Sequence, residues 1–455
     1  MSNLLSSLSS VANSMKTYEK AMEVVQNDTV NSNTQGFAAQ NVNFSALQFD
    51  INGTAGGGVA VGSVLSARDE YAEHNVQLQQ TSYNYSSTLA TDLSNVQPLF
   101  DPQNTTGVAG SLNTLFAAFS QLATTPNDTT ARQTVINDAS GVANAFNSTA
   151  SGLANAVSTI STSAQNTLTT INNTLADVAK LNSQISAGSH STPDPGLEAR
   201  MYSDLETLSQ YVGIQTQVAA DGTINVSLAG QRPLVVGSTS FPLSMSSTAS
   251  SIVIKDSSGN DITSFVHGGQ LGAQIDLRNT ILPGYQSQLN QLAKNVADAI
   301  NTQLASGVDQ SNNPGAALFS YGAGDEAQSL SVTGITSGQI AAASAGNPGG
   351  NDNALALSAL QNSTIGGLGN ATITNYFAAL SAQVGRDVSN SQNDHTTGQS
   401  LLAQAQSLRS QSSAVSLDSE AAKLEQYQMS YSATSKLITI IDQMTETLMS
   451  IFPAR

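Results

Sequence analysis

Apolar side chains set a helical rhythm at both ends of the chain. Met1, Leu4, Leu8, Val11, Met15, Tyr18, Met22 and Val25 recur at alternating steps of three and four. At the other end Leu417, Leu424, Tyr431, Ile438 and Phe452 belong to one seven-residue series, in which Thr445 is polar. Tyr427, Ile441 and Leu448 lie three after members of that series, and Thr434 is polar in this second set. Apolar positions 3.5 residues apart place a narrow greasy stripe along one side of a helix, which then buries it against another helix. The two termini are therefore expected to meet each other and then copies of themselves. The polar positions predict a seam of modest strength.

Between the ends the pattern changes twice. The first helix is expected to stop near Gln26, before the turn formers from Asn27 to Phe37. Val59-Ala60-Val61 predicts a short strand after the glycine-rich 52–58 loop, and a helical pattern runs from Asp69 to Leu93. Leu112, Leu115, Phe116, Phe119 and Leu122 mark another helix. Asp128 is placed to cap the longest helical stretch, from Val135 to Ile185, which a turn near 161–163 could split and which Pro193 and Pro195 are expected to end. From Val212 the period becomes two. Ile214, Thr216 and Val218 alternate, Asp221-Gly222 turns the chain, and Ile224, Val226 and Leu228 alternate back, which predicts a hairpin. Short strands continue to about 270, and a helix resumes with Leu282, Tyr285, Leu289, Leu292, Val296, Ile300 and Leu304. Residues 305–350 read as loop, followed by short helices at Asn353–Leu360 and Ile373–Val384. From Leu401 the chain runs into the terminal seam with no proline before Pro453.

The pattern predicts a mainly α protein with an inserted antiparallel β-domain. Residues 1–30 and 418–455 form a terminal coiled-coil domain, 31–211 and 271–417 a helical rod, and 212–270 a small outer β-rich domain.

Composition narrows the chemistry. Only 10% of the 455 residues are charged and 5% aromatic, so polarity comes from hydroxyls and amides. The net charge of −17, with 15 scattered basic residues, speaks against nucleic acid, which is held through clustered Lys and Arg. No stretch reaches the run of about 18 apolar residues that a spanning helix needs, so no membrane insertion is expected. Absence of cysteine removes disulfides and thiolate sites. His74, His190, His267 and His395 lie far apart without metal-ligand spacing, and neighbours Asp325 and Glu326 point apart along a chain. No lysine-containing phosphate loop follows the 56–58 glycines. No catalytic, cofactor or metal residues are assigned.

Several stretches resemble the flagellar axial protein family, and within it the hook–filament junction members. Asn33-Thr34-Gln35-Gly36-Phe37 stands where the family has an Asn-Thr-Pro-Gly-Tyr-like turn, with Gln35 in place of Pro and Phe37 in place of Tyr. The resemblance continues in order through Phe119–Ala123 with Pro126–Gln133, Leu205–Gly213 with Asp221–Val226, Gly268–Gly272 with Arg278, Asn353–Leu357, and Ser416–Ala422 with Tyr427 and Tyr431. It implies a non-enzymatic structural adaptor between hook and filament, exported through the flagellar type III apparatus on an uncleaved signal. It also implies a ring of identical copies, contacts to the hook protein and to a second junction protein, and a cytosolic export chaperone. The protein would be extracellular in the flagellum after a transient cytoplasmic stage. The subunit contacts expected on this basis are Leu4, Leu8, Val11, Met15, Tyr18, Met22, Val25, Leu417, Leu424, Tyr427, Tyr431, Ile438, Ile441, Leu448 and Phe452. Alternatives are a second junction protein, a flagellin-like filament subunit, or a secreted adhesin, for which repeated strands and a cleavable signal would be expected.

Overall fold

The computed structural model describes residues 2–49, 57–188, 194–247 and 251–451. It opens with α1 (Ser2–Asn31), five residues longer than the turn-rich sequence suggests. Thr29 and Asn31 keep the helix going by donating back to the carbonyls of Val25 and Asn27 at 2.8 and 3.0 Å. The ribbon β1 (Gln40–Ala46) and β2 (Val59–Ser66) follows, then α2 (Glu70–Val96), capped by Asp69, and α3 (Val108–Thr124).

The long helix α4 (Thr129–Ala187) is capped by the Asp128 carboxylate, which accepts from the Thr130 amide at 2.8 Å. Its 59 residues span about 88 Å without a break. The turn expected near 161–163 does not form, because Ser161 and Thr162 bond back to the Val157 and Ser158 carbonyls within the helix. The helix ends at Ala187 rather than at the prolines: Pro195 opens α5 (Pro195–Tyr211), and Pro193 lies outside the described residues.

The predicted hairpin is β3 (Ile214–Val218) with β4 (Ile224–Leu228), paired from Ile214↔Leu228 to Val218↔Ile224. β5 (Arg232–Val236) and β6 (Thr239–Ser240) complete an antiparallel four-stranded sheet, and β7 (Ser244–Ser247) pairs with β8 (Ile252–Lys255). These strands share one core with the second half of α4, where Leu168, Ile171, Leu175 and Val178 meet Ile224, Val226, Leu228, Val235 and Ile254. Buried amides fix the docking. Asn182 of α4 donates to the Ile224 and Gly237 carbonyls and accepts from the Ile224 amide, and Asn172 exchanges two bonds with Leu243. An asparagine side chain offers the same donor and acceptor as a peptide group, so it satisfies strand backbone that a helix could not otherwise pair.

α6 (Gly269–Asp276) starts earlier than expected. Gly268 and Gly269 hold positive φ, and a Cβ on Gly269 would lie 2.5 Å from the Tyr211–Val212 peptide, so only glycine fits that crossing. A π turn at Leu277–Ile281 joins α6 to α7 (Leu282–Ala305). Pro283 can neither donate nor tolerate the carbonyl four residues back, and the wider turn carries the helix past it.

β9 (Phe319–Ser320), the single turn α8 (Glu326–Ser329) and β10 (Ser331–Val332) lie in the expected loop region, and α9 (Asp352–Ala359) is the short helix expected after it. Asn301, Asn147 and Asn353 staple its backbone to the helices, and the buried Arg132 donates to the carbonyls of Pro126 and Ile340. α10 (Ile373–Ser413) is one helix of 41 residues, where a short one ending at Val384 was expected. It runs antiparallel to α2, with Val76, Leu402 and Ala405 buried between the two helices. Gly398 comes so close that an added Cβ would sit 3.3 Å from the Tyr83 Cα. α11 (Leu417–Ile451) closes the chain. A second large core joins α3, the first half of α4, α7, α9 and the start of α10 around Phe116, Phe119, Phe146, Leu292 and Phe377. None of the buried residues of α1 or α11 belongs to either large core. No helix among the described residues is long and apolar enough to cross a membrane.

Candidate subunit interface

α1 and α11 pack on each other, as the two stripes predict, and they run antiparallel. Leu4 and Leu448 line one small cavity of about 180 Å³ with Leu5, Thr445 and Met449. Farther along, the Tyr431 hydroxyl donates to Glu19 at 3.1 Å. Leu4, Leu8, Val11, Met15, Tyr18 and Met22 are half-buried and Val25 is buried. On the opposing helix Leu424, Tyr427, Tyr431, Ile438, Ile441 and Leu448 are half-buried. The polar members of the seam are not errors in it: Thr434 is buried, and Thr434 and Thr445 satisfy their hydroxyls on the Ser430 and Ile441 carbonyls at 2.8 Å each. Leu417 lies at the first residue of α11 and is 54% exposed, so it takes no part in this pairing. Phe452 lies outside the described residues.

The most deeply buried line on α1 is one that apolar periodicity could not find. Ser10, Ser14, Thr17, Ala21, Val25 and Asp28 are all buried. Their hydroxyls face the β1–β2 ribbon: Ser10 donates to the Gly57 carbonyl, Ser14 accepts from the Val59 amide at 3.1 Å, and Thr17 donates to the Val59 carbonyl at 3.1 Å. Phe44 of the ribbon then bridges the two helices, with its ring centroid 6.0 Å from Tyr18 and 5.7 Å from Tyr427.

Asp28 closes the end of this line. It is wholly buried and accepts from the Gln40 amide at 2.7 Å through one oxygen. Its other oxygen, and one oxygen of the buried Glu420, find no partner among the described residues. Glu420 holds Lys423 at 2.7 Å. Burial pushes the Asp28 carboxyl up to about 6, Gln40 opposes this, the nearby Glu420 charge adds to it and Lys423 opposes it. The proton is thus bound more tightly in the paired state than in the open one. Its stabilising contribution is complete below the ordinary value of 3.8 and is lost as pH rises through about 6. We expect far-UV circular dichroism and thermal melting to show firmer terminal helices at pH 5 than at pH 7. Asp28→Asn should remove most of that difference and hold the ends near their acid-form stability at both values.

α11 has a second apolar line. Met429, Leu437, Ile440 and Met444 are 62, 50, 50 and 54% exposed. At about 100° per residue these four side chains centre roughly 130° around the helix from the Leu424–Ile438 seam, so they form a separate apolar line flanking the contact with α1. A helix already paired on one face thus presents a greasy second face to the outside.

Comparison with known proteins gives the same direction. Residues 93–319 match the family model described as flagellar hook-associated protein FlgK helical domain. The chain is 27% identical over 318 residues to flagellar hook-associated protein 1 of Salmonella typhimurium, covering 67% of this chain and 57% of that protein. The match therefore spans little more than half of that relative's length. Flagellar hook-associated protein 1 of Bacillus subtilis is 23% identical over 503 residues, with 99% of each chain covered. The flagellar hook junction protein FlgK from Burkholderia pseudomallei has the same fold, with a TM-score of 0.68 at 18% identity, over 75% of this chain and all of that one. Residues 93–319 of this chain thus belong to the flagellar hook-associated protein FlgK helical-domain family, and the chain as a whole is similar to flagellar hook-associated protein 1.

Proposed function

We propose that this chain is a structural adaptor of the bacterial flagellum that joins hook to filament, assembling through its terminal helices and carrying out no catalysis. The observation that carries the proposal is the two-faced α11, seated on α1 through one apolar line and presenting Met429, Leu437, Ile440 and Met444 on the other. A coiled-coil partner for that second face is what a ring of copies supplies. Residues 1–30 with 418–455 form the assembling unit, 31–211 with 271–417 the rod wall, and 212–270 the outer β-rich part. In this assembly the expected contact residues other than Leu417 and Phe452 hold the inner seam, and the second line on α11 extends the set outward. On this reading the neighbours are copies of the chain, the hook protein and a second junction protein, and the chain reaches them through the type III export apparatus with a chaperone. Its place is the extracellular hook–filament junction, after a transient cytoplasmic stage.

A strain lacking the chain should make hooks without filaments and release filament subunits into the medium, as seen by electron microscopy and by blotting culture supernatants. Normal filaments in that strain would refute the proposal.

A further inference from the structure

Three connections between the terminal helices and the rod cross at one point. The Ala39 amide donates to the Ser413 carbonyl at 2.9 Å, the Ala67 amide to the Ala39 carbonyl at 2.7 Å, and the Asp69 amide to the Ser413 hydroxyl at 3.2 Å. Around this crossing lie Arg68, Glu73, Glu198, Glu206 and Arg409, an uncommon concentration of charge for a chain with so few charged residues.

Arg68, with its side chain 4% exposed, spreads its fork over three segments. It donates to Glu73 of α2, to Glu198 of α5 at 2.8 Å, and to the Gly36 carbonyl in the turn after α1. Its guanidinium lies 3.9 Å from the centre of the Tyr202 ring. Arg409 of α10 reaches the other oxygen of Glu73 at 3.2 Å and Glu206 of α5 at 2.9 Å. Burial pulls the Arg409 guanidinium down, but Glu206 and Glu73 outweigh it and hold it above its ordinary range. Gly36 completes the fit: it holds φ +75°, and a Cβ there would stand 2.3 Å from the Ala199 carbonyl oxygen.

Buried ion pairs seldom add net stability compared with apolar packing of the same volume. What an arginine fork adds is direction, since its donors fix the angles of the groups they meet. The terminal helices share no large core with the rod, so packing alone does not fix them to it. We propose that this cluster is a clamp that fixes the link after α1 and the entry to α11 against the rod, with Arg68 and Arg409 as its positioning residues. Glu73 is the keystone, because both arginines meet on its two oxygens.

The test is hydrogen exchange on the full chain, read at the joint amides of Ala39, Ala67 and Asp69 and at core amides of α2, α4 and α10. Glu73→Gln and, separately, Arg409→Met should speed exchange at the joint by at least tenfold while the core amides and the main melting transition stay unchanged. If Glu73→Gln unfolds the rod, Glu206→Gln, which removes one arm only, is read in the same way, with a smaller acceleration expected. Joint exchange that is unchanged in a folded variant, or already unprotected in the parent chain, would overturn the clamp. The readout uses no amide of α1 or α11 and needs no assembly, so its failure and the failure of the junction assignment are distinguishable.

Discussion

Replacing Leu437, Ile440 and Met444 together by glutamine should abolish the proposed assembly into the hook–filament junction while leaving the single chain as stable as before. All three side chains are half exposed or more. Burying the exposed part of each is worth roughly 1 kcal/mol, so about 3 kcal/mol is lost at each contact. That is about two powers of ten in each contact equilibrium, repeated at every subunit around a ring. Glutamine has helix propensity close to that of leucine and methionine, so α11 itself should persist. Substitutions at exposed sites usually change folding stability by no more than about 0.5 kcal/mol. The measurement is filament counting by electron microscopy in cells that carry the triple variant, beside the melting curve of the purified protein. Wild-type filament numbers would show that the second face of α11 is not a contact.

The largest effect on folding is expected inside the rod. Phe146 is fully buried in the first half of α4, in the core shared by α3, α7 and α10. Phe146→Ala should cost about 3–5 kcal/mol, because lost transfer energy and an unfilled cavity add. Against the 5–15 kcal/mol typical of a folded domain this is a large share. Denaturant unfolding should show the midpoint falling sharply with little change in slope. Met429→Ala, at a residue 62% exposed in the single chain, should barely register. A cost at Phe146 below 1 kcal/mol would mean that α4 does not carry this core.

These two residues also mark what a linear sequence reveals. Core helices such as α4 and α7 carry long apolar stripes, and the alternation around Asp221-Gly222 fixes a hairpin locally. The inner seam of α11 was equally legible, because its apolar positions repeat every seven residues. Three features were not. The buried line Ser10–Ser14–Thr17 on α1 is polar, and its hydroxyls are satisfied by a ribbon that only the fold brings near. The continuity of α10 was hidden because its middle buries Ser391 and Gly398 against α2, where close approach substitutes for greasy side chains. The clamp was hidden because Glu73 and Arg409 are 336 residues apart, and single charges in sequence carry no trace of their partners. Gly36 was the one available hint: a glycine in a resembling turn signals backbone that must approach something closely, here α5.

The outer line of α11 was overlooked for a different reason. Met429, Leu437, Ile440 and Met444 alternate with the inner seam, so the helix is apolar on two sides, and a search for one stripe stops at the stronger. A helix with two apolar sides is unfinished when it has only one neighbour.

Thiol labelling tests this most directly, because the chain has no cysteine of its own. Met444→Cys should react rapidly with a maleimide in the purified single chain and resist the same reagent in intact flagella. Equal reactivity in both states would contradict the proposal that neighbouring copies cover the second face of α11.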